Sequence, residues 1–304
     1  MTSRPAGAPA AEPAPPGIGT RTLVFALVRE DGTVDAGELY AVAESLGMTD
    51  QQVRLCLKRL VAEGRFTQEG RGRKAVLRAA ADAAGAIAPD AAYVRHAYRQ
   101  DQGLAPWDGT WHLFAFAIPE ASRQARDSLR DTLLHLGAAA LQGGLYASAN
   151  AIGDIVEAHA RGLGVLPSLT RLTTRDLRVG DEDAPGPLAA LLWPLREVAD
   201  RHDALAALAA DRLARLSGPD RPTPTERLAY AIELAASFTA AMEPDPLLPP
   251  ELLPQPWSGT RARALAAQCW TALAADGTGG RRGESGELRL FRLYDGAFPA
   301  AGTR

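Results

Sequence analysis

The chain has 304 residues, of which 46% are hydrophobic and 23% are charged, and its formal net charge is −3 at pH 7. This composition is typical of a soluble globular protein, and the length is sufficient for two or three domains with cores of their own. The slightly acidic balance excludes a protein that coats nucleic acid over its whole surface. Any nucleic-acid-binding face must therefore be local.

Cysteine usage and apolar runs indicate the compartment. Cys56 and Cys269 are far apart and form neither a metal site nor a disulfide framework. No run reaches the roughly 18 apolar residues of a transmembrane helix, and the Pro- and Ala-rich N-terminus lacks the charged start and apolar core of a signal peptide. We therefore expect a cytoplasmic protein without a membrane partner.

The N-terminal quarter of the chain predicts an arm and then a group of helices. Residues 1–17 are rich in Pro and Ala with little to bury, so we expect a disordered arm there. Residues 20–29 predict a first helix. Asp35 is placed to cap a second helix, which ends at Gly47.

The stretch TDQQVRLCLKRLVAEGRFTQEGRGRKAVLR, residues 49–78, begins with a third predicted helix. Thr49 and Gln52 fit a capping box, and Gly64 fits the position just after the helix. Apolar side chains recur at i, i+3, i+4, i+7 and i+8, which predicts one buried stripe. Its members are Val53, Cys56, Leu57, Leu60 and Val61. Cys56 is accordingly expected to be a core thiol.

A basic hairpin follows this helix. Residues 65–69 and 74–78 are able to pair across the turn Gly-Arg-Gly-Arg. Between residues 54 and 78, eight basic residues stand against two acidic ones, a local balance of +6. We interpret residues 18–79 as a winged helix-turn-helix, with a helix for the DNA major groove and a cationic wing beside it.

With the apolar stripe inward, the polar side chains of the third helix form its outer face. Gln pairs with the edge of adenine and Arg with that of guanine, so the predicted base-reading residues are Gln51, Gln52 and Arg54. Thr49, at the start of the helix, is also included among the predicted DNA-binding residues. The predicted phosphate contacts are Lys58, Arg59, Arg71, Arg73 and Lys74. The alternative is a solvated charged helix face, or a winged helix that binds only protein.

The middle of the chain predicts an alternation of strands and helices. Residues 80–106 predict a connecting helix, broken at Gly103 and Pro106. The elements that follow are a strand at 109–118, a helix at 120–136, a hairpin over 138–148, a helix capped by Asn150 and a strand at 165–175. The order β-α-β-β-α-β is the ferredoxin-like arrangement. Residues 107–180 are therefore predicted to be a ferredoxin-like dimerisation domain.

Residues 184–304 predict a C-terminal helical domain, which makes the fold class α+β. Helices are expected at 188–216, 224–242 and 258–275, with a Pro-rich bend before the last. Residues 277–286 are expected to form a loop, and residues 288–295 a short strand or tail element.

Three segments in this order resemble the PaaX family of bacterial transcriptional regulators. The first is VRLCLKRLVAEGRF with the GRGRK turn. The second is WDGTWHLFAFAIPEASRQARDSLRDTLLHLG with the QGGLYAS hairpin, and the third is DPLLPPELLPQPWSGTRARALAAQCW. The chain departs from the family pattern in the wing, where Lys74-Ala75-Val76 replaces a common aromatic. It departs again in the helix before DPLLP, where LAASFTAAM lacks the usual basic-aromatic cluster.

The resemblance implies a homodimeric regulator, usually a repressor of a catabolic operon, that binds an imperfect palindrome in double-stranded DNA. The best-known members are released by phenylacetyl-CoA. The central domain of the family is similar to the ferredoxin-like fold of CRISPR-associated nucleases. A nuclease metal site would need an acidic residue at the end of the first central strand, which here ends in Ala117-Ile118. The five histidines are scattered without metal-ligand spacing. We expect no enzyme activity, metal or cofactor.

An acyl-CoA effector requires an apolar slot and cations for its phosphates. The predicted effector-binding residues are Trp107, Trp111, Trp193, Trp257, Arg261 and Arg263. The alternative is that these side chains pack a domain interface. At the level of function, the alternative is a nucleic-acid-binding or interaction protein with no small-molecule input, in which the central domain serves only dimerisation.

Overall fold

A computed structural model of the chain describes residues 18–80, 91–275 and 288–295. The predicted arm over residues 1–17 and the predicted loop over residues 277–286 lie outside these described residues. The described chain combines helices with two antiparallel sheets.

The N-terminal unit, residues 18–80, contains three helices and a small sheet. Its elements are α1 (Thr20–Ala26), β1 (Thr33–Asp35), α2 (Ala36–Ser45), α3 (Asp50–Ala62), β2 (Phe66–Glu69) and β3 (Val76–Ala79). β3 lies between β1 and β2 and is antiparallel to both. Asp35 caps α2 as predicted, because its carboxylate accepts a hydrogen bond from the Glu38 backbone N–H at 2.7 Å.

The apolar stripe of α3 is narrower than predicted. Val53, Leu57 and Leu60 are buried in the core, but Val61 is 37% exposed and Cys56 is only partly buried. Val61 and Cys56 occupy opposite margins of the stripe, since they lie about 80° and 300° around the helix from Val53 at 100° per residue. The prediction that Val61 is a core residue was therefore wrong, whereas Cys56 packs at the margin of the core.

Two predicted elements differ at the ends of the chain. The first helix stops at Ala26 instead of continuing to Arg29, which forms an isolated antiparallel bridge to Leu288. Residues after this bridge form a helix, α11 (Arg289–Asp295), where a short strand or tail element was predicted. Leu288 and Leu290 are buried against the N-terminal unit, so the tail element completes its core.

A connecting helix, α4 (Ala91–Asp101), leads from the N-terminal unit to the central unit. The elements of the central unit are β4 (Trp111–Phe116), α5 (Arg123–His135), β5 (Ala139–Gln142), β6 (Leu145–Ser148), α6 (Gly153–Gly162) and β7 (Leu169–Thr174). The sheet order is β5-β6-β4-β7 with every neighbouring pair antiparallel. This is the predicted ferredoxin-like order of elements. Asn150 does not cap α6, since its amide donates instead to the carbonyls of Pro246 and Leu247.

Both faces of the central sheet are covered. Phe114 and Tyr146 point to the layer of α5 and α6, where they pack with Leu129 and Leu133. The opposite face carries Trp111, and residues of the C-terminal part of the chain pack on it. The central sheet therefore lies between the helices of its own unit on one face and the C-terminal part of the chain on the other.

The C-terminal helices are α7 (Pro185–Leu192), α8 (Leu195–Ser217), α9 (Pro224–Met242), α10 (Ser258–Ala275) and α11. The single helix predicted over residues 188–216 is divided at Trp193-Pro194. Pro194 lacks an N–H and forces the preceding residue out of the helical region, and Trp193 is indeed extended at φ −120° and ψ 145°. This break allows α7 to lie on the central sheet while α8 packs with α9 and α10.

The N-terminal unit shares one hydrophobic core with the C-terminal helices. Leu39 and Val42 of α2 belong to the same buried cluster as Ile232 and Phe238 of α9 and Trp270 of α10. α2 packs directly against α9. In the parts of the chain that the structure describes, no helix is both long and apolar enough to cross a membrane.

Candidate nucleic-acid interface

The outer face of α3 is polar, cationic and solvent-exposed. Gln51, Arg54, Lys58 and Arg59 are all exposed, and Leu55 among them is 49% exposed. In an α-helix these positions lie opposite the buried stripe, so folding of the N-terminal unit presents them to solvent. The predicted base-reading and phosphate residues of α3 are thus accessible to a partner.

The capping box predicted at the start of α3 is formed. The Thr49 hydroxyl accepts a hydrogen bond from the Gln52 backbone N–H at 3.3 Å, and the Gln52 side-chain carbonyl accepts one from the Thr49 backbone N–H at 2.7 Å. This geometry fixes the first turn of α3, and it also occupies the carbonyl oxygen that Gln52 would need to pair with adenine in a bidentate way. Gln51 has no such engagement in the described chain and is the freer of the two.

The turn between β2 and β3 is held against the helices by Arg73. Its guanidinium lies 3.3 Å from the carboxylate of Asp50 in the first turn of α3 and 5.4 Å from the ring centroid of Tyr40 in α2. Gly37 of α2 faces the same turn, and a Cβ at that position would stand 3.0 Å from the Arg73 carbonyl oxygen. The hairpin therefore sits close on α2 and α3.

Seven of the eight basic residues of this region fall into two groups, and the eighth, Arg65, is only partly exposed. Arg73 pairs with Asp50, and Arg78 pairs with Glu69 at 3.2 Å, so their charges are partly compensated. The other group has no carboxylate partner within the described chain and is exposed. It comprises Arg54, Lys58, Arg59, Arg71 and Lys74, which we call the cationic face.

The predicted effector residues do not come together in one site. Trp107, Trp111 and Trp193 form a contiguous aromatic group, with ring centroids 5.2 Å and 6.2 Å apart in succession. The Trp193 indole N–H donates to the Gly137 carbonyl at 2.9 Å. This group packs the central sheet against α7, which is the interface role that the sequence left open as an alternative.

Arg263 is buried in an ion-pair network. Its guanidinium lies 2.6 Å from Asp101 of α4 and 3.4 Å from Asp245, which also lies 2.7 Å from the Nε2 atom of His202. Burial lowers the pKa of Arg263, but the hydrogen bond and charge of Asp101 and the charge of Asp245 outweigh it, so that the pKa is raised overall. Trp257 packs on His202 beside this network, whereas Arg261 of the predicted set is exposed.

The sequence offered no signal for two further features. The first is the network around Asp245, which joins side chains of α4, α8 and α10 to the segment after α9. The second is a cavity of about 440 Å³ between α1, α8 and α9. Its lining includes Thr22, Arg201, Leu208, Ser237 and Thr239. It is bounded on one side by the N-terminal unit and on the other by the C-terminal helices.

Among the described residues, no group of three or more His, Cys, Asp or Glu side chains is placed to hold a metal ion.

Three family models match the chain in the order in which its units occur. The model "PaaX-like protein" matches residues 20–83, "PaaX protein central Cas2-like domain" matches residues 104–185, and "PaaX-like protein C-terminal domain" matches residues 193–279. The chain belongs to the PaaX family. Proteins of this family are in general transcriptional regulators of phenylacetic acid catabolism, not enzymes, and DNA binding is part of that role.

Among solved structures, the chain is similar to "Uncharacterized protein Rv0674 from Mycobacterium tuberculosis". The identity is 21% and the TM-score is 0.44, over 84% of this chain and 95% of that one. No curated protein matches the chain at a significant level.

Proposed function

We propose that the chain is a DNA-binding transcriptional regulator, a repressor of a catabolic operon, and that residues 18–79 are its winged helix-turn-helix. The observation that carries the proposal is the cationic face, which combines the outer side of α3 with the turn of the β2–β3 hairpin. A helix with an adjacent basic hairpin fits the major groove and the flanking phosphates. We expect binding to an imperfect palindrome by a homodimer.

Different roles are proposed for individual residues. Gln51 and Arg54 are the proposed base readers, because both are exposed and have no partner within the described chain. Thr49 and Gln52 support them by fixing the start of α3. The proposed phosphate contacts are Lys58, Arg59, Arg71, Arg73 and Lys74, with Arg73 also holding the wing on Asp50.

Selection of bound sequences from a random duplex pool tests this proposal. The wild type should enrich a palindrome, and Arg54→Ala should relax selectivity at one base position of each half-site at a cost of about 1–3 kcal/mol. Arg59→Ala is the control, since loss of a phosphate contact should weaken binding to all sequences equally. A pool without enrichment, or an Arg54→Ala profile identical to that of the wild type, would contradict base reading by α3.

We further propose that an acyl-CoA thioester or a related small molecule releases the protein from DNA. This proposal rests on the family and is supported by the cavity between α1, α8 and α9, through which a ligand would contact both the N-terminal unit and the C-terminal helices. A panel of acyl-CoA thioesters should raise the melting temperature and lower operator affinity with at least one member.

The competing function is a nucleic-acid-binding or interaction protein without small-molecule input. It is favoured by the positions of Trp111, Trp193 and Arg263, which are buried in packing and ion pairs. Absence of any thermal shift or operator release across the panel would select this second function, while leaving the DNA-binding proposal intact.

A further inference from the structure

One edge of the central sheet is open. β7 is the terminal strand in the order β5-β6-β4-β7, and within the described chain no strand pairs with its outer side. All four inner positions of this strand, residues 170–173, are exposed, and Leu172 among them is 43% exposed. An exposed strand of this kind presents unpaired backbone N–H and C=O groups to another chain.

The opposite edge of the same sheet is protected. β5 has only four residues, its pairing with β6 shifts register between Ala140 and Gln142, and it packs against α7 and α5. Short length, a bulge and a covering helix are the devices by which proteins prevent pairing at a sheet edge. The contrast between the two edges indicates that β7 is the edge available for pairing with another strand.

β7 carries none of these protective devices. Its sequence, LTRLTT, contains no Pro and no Lys, and its six-residue pairing with β4 has no break in register. The one charged residue, Arg171, points to α6, where it lies 3.0 Å from Asp154 and 3.1 Å from Glu157. That charge is therefore partly compensated within the chain.

We propose that β7 is the homodimer interface and that it pairs antiparallel with β7 of a second copy, which joins the two central sheets into one of eight strands. The proposal rests on the proposed function, because it names the surface through which a palindrome-binding protein becomes two-fold symmetric. The partner strand is β7 of a second copy, because two antiparallel β7 strands are able to place apolar and uncharged side chains opposite each other, as the register below shows.

The faces of the strand determine the register. Leu172 is paired with Leu113 and lies on the side of the sheet that α7 covers, together with Thr170 and Thr174. A two-fold axis normal to the sheet keeps each side of one sheet continuous with the same side of the other. Residues that face each other across the interface therefore have numbers that are both even or both odd. It follows that one residue must face its own copy at the axis.

Of the central positions, Leu172 gives the favourable pairing. An axis at this residue places Leu172 opposite Leu172 of the second copy, Thr170 opposite Thr174, and Arg171 opposite Thr173. An axis at Arg171 would place two like charges directly opposite each other, which is destabilising. Charge and apolar contact thus favour the same register.

Disulfide trapping tests this register in the full-length chain. The variants are made in a Cys56→Ser background, since Cys269 is fully buried and burial raises the pKa of its thiol to about 12. Leu172→Cys should form a covalent dimer under mild oxidation, because opposed strand residues have Cα atoms about 4.5–5.5 Å apart, within the range of a disulfide. Thr170→Cys alone should not, whereas Thr170→Cys combined with Thr174→Cys should.

Light scattering provides the second measurement. The wild type should be a dimer, and Leu172→Lys should be a folded monomer, because it opposes two charges at the axis. Leu134→Lys, at an exposed leucine of α5, is the matched control and should stay dimeric. A monomeric wild type, or a Leu172→Lys dimer together with no trapping at residue 172, would overturn the proposal. If Leu172→Lys does not fold, the trapping pattern decides alone.

The test separates this interface from the proposed function. Leu172→Lys should retain weak binding to a half-site duplex and lose the tighter binding to the palindrome. A wild type that is trapped through residue 172 but binds no DNA would leave the interface standing and refute the regulator. Binding to DNA by a protein that dimerises through another surface would refute the β7 interface and leave the regulator standing.

Discussion

At the scale of single residues, the first turn of α3 contributes both to stability and to the proposed recognition of DNA. Thr49 and Gln52 satisfy each other's backbone N–H groups, and Gln51 and Arg54 project from the turn that they fix. A rigid start of the helix lowers the entropy that is lost when side chains engage base edges. The capping box is therefore expected to contribute to DNA affinity without touching DNA.

Thr49→Ala should lower both stability and DNA affinity. Loss of an N-cap hydroxyl costs about 1 kcal/mol, which should appear as a decrease in melting temperature. The matched control is Thr223→Ala, because Thr223 and Glu226 form the same capping box at the start of α9, away from the cationic face. Equal losses of DNA affinity in the two variants would show that the cap of α3 has no role in recognition.

At the scale of elements, the wing is placed by backbone proximity as well as by charge. Gly37 lets α2 approach the Arg73 carbonyl, where a Cβ would stand at 3.0 Å, and Arg73 bridges to Asp50 and Tyr40. These contacts make α2, α3 and the wing a single block. The spacing between the outer face of α3 and the tip of the wing is thereby fixed.

Gly37→Ala is therefore expected to displace the wing and weaken DNA binding. Replacing a helical Gly by Ala without strain usually stabilises a protein by about 0.4–1 kcal/mol, so a close contact is needed to reverse the sign. Gly186→Ala is the control, since a Cβ at that position of α7 meets nothing within 4 Å. Calorimetry and operator binding of the two variants should diverge; a parallel gain in stability with unchanged DNA affinity would refute the role of Gly37.

Elements with strong local signals were predictable from the sequence. The cap and period of α3, the hairpin around Gly143-Gly144 and the helix over residues 224–242 depend on neighbouring residues alone, and the structure confirms them. β1 has three residues and forms only because β3 provides a partner. The helix after Leu288 depends on burial against a distant unit, which no local pattern encodes.

At the scale of the whole molecule, the segment around Asp245 joins the separate parts. Asp245 binds His202 of α8 and Arg263 of α10, while the carbonyls of Pro246 and Leu247 accept from Asn150 in the central unit. The sequence did not predict that Arg263 is buried in ion pairs, because its partners lie 162 and 18 residues away in sequence.

Arg263→Met should destabilise the protein strongly. It leaves the carboxylates of Asp101 and Asp245 buried without their cation, and breaking a buried pair from one side typically costs about 3–5 kcal/mol. Urea unfolding measures this cost. Arg261→Met, at the exposed neighbour, should change the free energy of unfolding by less than about 0.5 kcal/mol. Similar values for both variants would show that the network contributes little.

Shared packing also relates DNA binding to the rest of the chain. Because α2 and α9 belong to one core, a change in the C-terminal helices is able to move the N-terminal unit without a flexible linker between them. Regulation by a ligand in the cavity between α1, α8 and α9 would use this packing. In both proposed functions, with or without a small-molecule ligand, the cationic face is the surface that binds DNA.

The salt dependence of DNA binding tests the role of the cationic face most directly. The logarithm of the binding constant should fall linearly with the logarithm of salt concentration, and Arg71→Ala/Lys74→Ala should flatten that slope by about 2 units for each bound protomer. Arg175→Ala/Arg196→Ala removes the same charge from exposed positions outside the cationic face and should leave the slope unchanged. A slope unaltered by loss of Arg71 and Lys74, or equally altered by both double variants, would contradict DNA binding through α3 and the wing.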